Sequence, residues 1–92
     1  MLQQIEELLT ADSPSLARLQ DALADGYAQA LALEAELWRL ERRLGEVARA
    51  GRADVGDEVV SLGERMTSAD VELAKLRALL GTLRERARAA GA

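Results

Sequence analysis

The sequence predicts an all-α protein: a short N-terminal helix followed by a long antiparallel helical hairpin, two copies of which pair as a four-helix bundle. Three observations carry this. Two heptad stripes of apolar residues fill most of the chain, and charge blocks of opposite sign lie at mirrored positions along them. The composition is dominated by Ala, Leu, Arg and Glu, which favour helix, while the β-branched and aromatic residues that strands use are few. With 92 residues there is room for one small domain. It divides into a short helix within 1–12, a long helix over 13–50, a turn at 51–56 and a second long helix over 57–91.

The first element rests on Leu2, Ile5, Leu8 and Leu9, the apolar face of a short amphipathic helix. Thr10-Ala11-Asp12 ends it. Ser13-Pro14 opens the next helix, with Ser13 placed to cap and Pro14 suited to the first helical position, where its missing N–H is not needed.

The long helix that follows carries the first stripe, through Leu16, Leu19, Leu23, Gly26, Ala30, Leu33, Leu37, Leu40, Leu44 and Val47. Gly51 is placed to take the left-handed conformation that stops a helix. The last helix, capped by Asp54 or Asp57, carries the second stripe, from Val55 and Val59 through Leu62, Met66, Ala69, Leu73, Leu76, Leu80 and Leu83 to Ala87 and Ala90. No seam position is charged, and spacing this regular predicts two helices packed along their length. Thr67-Ser68-Ala69-Asp70 resembles a helix start and marks a place where the last helix could break, although the heptad phase runs through it.

Charge fixes the orientation. Residues 1–36 are acidic apart from Arg18, and residues 39–52 are mainly basic (Arg39, Arg42, Arg43, Arg49, Arg52). Residues 54–72 are acidic apart from Arg65, and residues 75–88 are basic apart from Glu85. Folding the chain back near Ala53 sets each acidic block against a basic one. The same fold pairs Val47 with Val59, Leu40 with Met66, Leu33 with Leu73 and Gly26 with Leu80, so that small residues tend to face large ones. Gly45, Gly63 and Gly81 each follow a Leu at equal spacing, which reads as composition bias or a faint repeat. Glycine inside a helix costs up to about 1 kcal/mol relative to Ala, so Gly45 and Gly63 predict a looser hairpin tip.

A two-helix hairpin buries one seam, and elongated chains of this size are marginal alone. Apolar residues also lie off the seam: Tyr27, Leu31 and Trp38 on the first long helix, and Val60, Val71 and Leu79 on the second. These six are the candidate interface. A homodimer is the economical way to cover them, with docking of another helical protein as the alternative.

The chemistry of sites is sparse. There is no Cys and no His, which removes thiolate chemistry, the commonest metal ligand and the commonest general base. No catalytic, cofactor or metal residues are assigned. Asp54, Asp57 and Glu58 cluster where capping and the helix dipole account for them. A net charge of −4 argues against nucleic acid as a primary partner. No apolar run is long enough to span a bilayer, and Met1–Glu7 lacks the basic start and apolar core of a secretory signal, so no membrane partner and a cytoplasmic location are expected.

The function expected is a non-enzymatic protein–protein interaction module, an adaptor, chaperone-like or regulatory protein working by helix-face docking and self-association. In length and helical class the chain is similar to the small all-helical dimers of the chorismate mutase type. That resemblance would imply an alternative, electrostatic catalysis by Arg, but their spaced Arg/Lys constellation has no counterpart here. A nucleic-acid-associated regulator using Arg84, Arg86 and Arg88 is the other alternative. Small secreted helical hairpins with a Trp-x-Gly turn share the length but not the motif, since Trp38-Arg39-Leu40 lacks the glycine and lies inside a helix.

Overall fold

The computed structural model describes residues 1–10, 15–51 and 55–91. These form three helices and no strand: α1 (Leu2–Thr10), α2 (Leu16–Ala50) and α3 (Gly56–Gly91). The long helices pack against each other, α1 packs against α3, and the molecule measures 59 × 17 × 14 Å. Its long dimension is close to what 35 or 36 residues give at about 1.5 Å each.

The helix ends show where local chemistry overrode or followed the expected signals. The cap of α2 is Ser15, in extended conformation, whose Oγ accepts from the Arg18 N–H at 3.2 Å. This corrects the expected cap at Ser13, which lies with Pro14 outside the described residues. Both serines could offer the same hydroxyl oxygen; the helix starts at the one adjoining Leu16, the first seam residue.

At the other end of α2, Gly51 takes φ 64° and ψ 22°, the left-handed conformation that releases the chain from the helix. In α3 the first helical bond runs from the Val59 N–H to the Val55 carbonyl at 2.9 Å. Asp57 therefore lies within the first turn beside Glu58 rather than at the cap, where both carboxylates still meet the positive end of the dipole. Asp54 is outside the described residues. No break occurs at Thr67: its hydroxyl donates to the Gly63 carbonyl at 3.0 Å and the helix continues.

The seam runs as the heptads predict, but its core is divided in two. Toward the chain termini, Leu19, Ala30, Leu33, Leu73, Leu76, Leu80 and Leu83 gather with Ile5 and Leu8 of α1. Toward the turn, Leu40, Val47 and Leu62 form a smaller cluster edged by Leu44, Val55, Val59 and Met66. Gly26 fixes the register between these helices. A Cβ there would collide with Leu80 Cδ2 and lie 3.5 Å from Ile5 Cδ1, so any larger residue would force the buried Leu80 side chain to shift.

Ion pairs flank the seam in the register the charge blocks require. Arg77 reaches Glu34 at 2.6 Å, Arg43 reaches Glu58 at 2.7 Å and Arg65 reaches Glu36 at 3.3 Å. All are substantially exposed, so they serve orientation more than stability.

α1 runs antiparallel to α2. Ile5 stands by Gly26, and the Leu9 carbonyl accepts from the Arg86 guanidinium of α3. That bond places a cation at the helix's negative end.

Candidate functional site

Each long helix has two flanks beside its buried stripe. A residue just before a seam position is turned about −100° from it, and one just after about +100°. The residues bordering α1 are of the first kind: Ala22 precedes Leu23, Leu79 precedes Leu80 and Arg86 precedes Ala87. The exposed large apolar residues are mostly of the second kind. Tyr27 follows Gly26, Leu31 follows Ala30, Trp38 follows Leu37 and Val60 follows Val59. In an antiparallel pair the second flanks of both helices form one face, and the Glu34–Arg77 bridge, joining residues that follow Leu33 and Leu76, spans it. The hairpin thus has a face that α1 covers at one end and an opposite face that no described residue covers.

Five of the six expected interface residues stand on or beside that open face. Leu31 is 66% exposed, Trp38 and Val60 are 60%, Val71 is 49% and Tyr27 is 42%. Val71 is at the rim, one turn beyond Thr67. Leu79 is the exception: it lies on the α1 side, partly buried against the core there.

The face has relief at its outer edge. On α3, Val60, Gly63 and Thr67 of the open flank, with Glu64, Ser68 and Val71 on the back of the helix, line a shallow groove. A second depression crosses the seam beside it, between Leu37 and Glu41 of α2 and Met66, Thr67 and Asp70 of α3. Trp38 projects from α2 with the Arg42 guanidinium 5.0 Å from its ring centroid, an arrangement that favours a cation on the indole face.

The groove itself was not read from the sequence. Its trace in the sequence is Gly63 and Gly81, both on α3 and about five turns apart, so on one side of that helix. Like Gly45 on α2, each follows a seam leucine and lies on the open-face flank. Within the chain, a Cβ at Gly63 or Gly81 would touch nothing within 4 Å, and at Gly45 only the Arg49 side chain.

The electrostatics of the other face centre on Glu36. A 2.8 Å hydrogen bond from Arg39, only partly offset by desolvation, and the charges of Arg39 and Arg65 hold its carboxyl below the usual glutamate range. Among the described residues no group of three or more acidic side chains gathers to hold a metal, no polar or charged side chain is buried, and no helix is long and apolar enough to cross a membrane. No protein family, no characterised protein and no solved structure matches the chain.

Proposed function

We propose that this protein is a non-enzymatic interaction module, an adaptor, chaperone-like or regulatory protein of the cytoplasm, which self-associates into a four-helix bundle through its open face. One observation supports this above the others: large apolar side chains more than half exposed, Leu31, Trp38 and Val60, share one face of the hairpin while α1 occupies the other. Exposed apolar surface gathered on one face costs free energy in water and is characteristic of protein contacts. A second hairpin laid on that face gives each long helix a second apolar neighbour, which is how four-helix bundles make a core from helices that cannot do so in pairs.

Light scattering at micromolar concentration is expected to give about twice the 9.9 kDa chain mass. A strictly monomeric mass would remove the self-association. Trp38→Ala should weaken assembly more than Trp38→Phe, because the indole's apolar area carries the contact; equal and negligible effects would place the ring outside it.

A further inference from the structure

We infer that the second copy is seated tip to tip, with Trp38 of each chain in the groove that Gly63, Thr67, Val60 and Val71 form on α3 of the other. This rests on the self-association proposed above and adds its geometry.

Two copies of one face can be related by a two-fold axis in only two ways. With the axis along the hairpin, the tips lie together and α2 crosses onto the partner's α3. With the axis across it, tip meets tail, α2 lies on the partner's α2 and α3 on the partner's α3.

The open face distinguishes these by size. Its α2 edge carries the bulk: Tyr27, Leu31 and Trp38. Its α3 edge offers small residues, Gly63, Thr67, Ala74 and Gly81, set between Val60, Asp70 and Arg77. Tip to tail would stack the large residues of α2 on one another and leave the small positions of α3 facing each other. Tip to tip sets large over small on both sides, as close packing requires.

Height agrees with size. In the tip-to-tip arrangement each α2 residue meets the partner's α3 at the height it has beside its own α3. The depression shared by Leu37, Glu41, Met66, Thr67 and Asp70 shows that Trp38 stands level with Thr67 and Ser68, which line the groove. By the same register Leu31 comes over Ala74. Gly63 lets the indole approach the backbone, where any Cβ would stand in open space. The Thr67 hydroxyl is already satisfied by the Gly63 carbonyl, so it requires no hydrogen bond from an occupant.

Charge agrees as well. Arg42, stacked on Trp38, arrives level with the partner's Glu64 at the groove's edge, and Arg49 level with the partner's Asp57. None of these four has an ion pair among the described residues. These rim pairs select orientation more than they add affinity.

The chain has no cysteine, so single-cysteine variants can be spin-labelled cleanly. Ser61 and Ala89 are exposed, precede seam residues and so lie away from the proposed contact, near opposite ends of α3. With Ser61→Cys and Ala89→Cys measured as separate full-length dimers, tip-to-tip seating predicts that both label pairs lie within about 30 Å, since packed helix layers are only ~10 Å apart. A scattering-confirmed dimer in which either pair lies beyond about 40 Å overturns this seating and leaves self-association standing, because at 1.5 Å per residue tip-to-tail packing cannot keep both short. A monomer overturns both.

Gly63→Leu provides an independent check. It should raise the dimer dissociation constant at least about tenfold, the scale of overpacking a close contact, while circular dichroism retains the helical signal. Unchanged dissociation would place Gly63 outside the interface.

Discussion

The two ends of this hairpin share the same heptads but not the same core. At the open end, where α1 joins the start of α2 and the close of α3, Leu76 and Leu83 are fully buried and Ile5 and Leu19 are 1% exposed. At the tip, α2 and α3 bury Leu40, Val47 and Leu62 and leave Leu44, Val59 and Met66 half-covered. A pair of helices can enclose only one line of side chains. A helix of nine residues is enough to close a third side, but only as far as it reaches. Because α1 binds one face, it completes the core at one end without obstructing the face proposed for the second copy.

Substitutions at the two ends should differ accordingly. Leu76→Ala is expected to cost most, about 2–5 kcal/mol, because the surrounding open-end core cannot collapse into the space. Leu62→Ala at the tip should fall near the lower limit of that range, since its neighbours are already partly solvated. Urea melts of the two variants make the comparison, and equal losses would show that the ends are packed alike.

Ile5→Ala should cost about 2–4 kcal/mol and also remove the difference between the ends, with amide exchange in residues 73–83 rising toward the rate at the tip. Should exchange there stay slow, α1 is not what completes the core.

Gly26→Ala should destabilise more modestly, by about 1–2 kcal/mol net, because crowding against Leu80 outweighs alanine's better helix propensity. A stabilised variant would mean that Leu80 moves aside without loss.

The smallest effect belongs to Glu36. Its carboxyl titrates lower in the folded chain than in the unfolded one, so its contribution is present above the ordinary glutamate range and is lost as pH falls through the lowered folded value. Glu36→Gln should therefore lower the melting temperature slightly at neutral pH and leave it unchanged in strong acid. A difference that persists in acid would point to a role other than charge.

The fold was legible because one rule governs most of it. A charge-free stripe repeated at heptad spacing gives helices and a seam, and the mirrored charge blocks give its direction; Gly26 opposite Leu80 and Arg43 beside Glu58 show both. The cap was misplaced because Ser13 and Ser15 present the same chemistry on either side of Pro14, and only the start of the seam distinguishes them. The apolar members of the open face were visible as off-seam residues, yet Leu79 was grouped with them because an off-seam position does not reveal which flank α1 will cover. The groove escaped notice because it is made of small side chains, whose role is to leave room. Only Gly63 and Gly81, about five turns apart on α3, recorded it.

Amide hydrogen exchange across the chain, followed at high and low protein concentration, tests the account most directly. It predicts slow, concentration-independent exchange over residues 73–83, where α1 completes the core, and exchange over residues 60–71 that quickens on dilution as the partner's Trp38 leaves the groove. Uniform protection from end to end, or a groove segment indifferent to dilution, would contradict it.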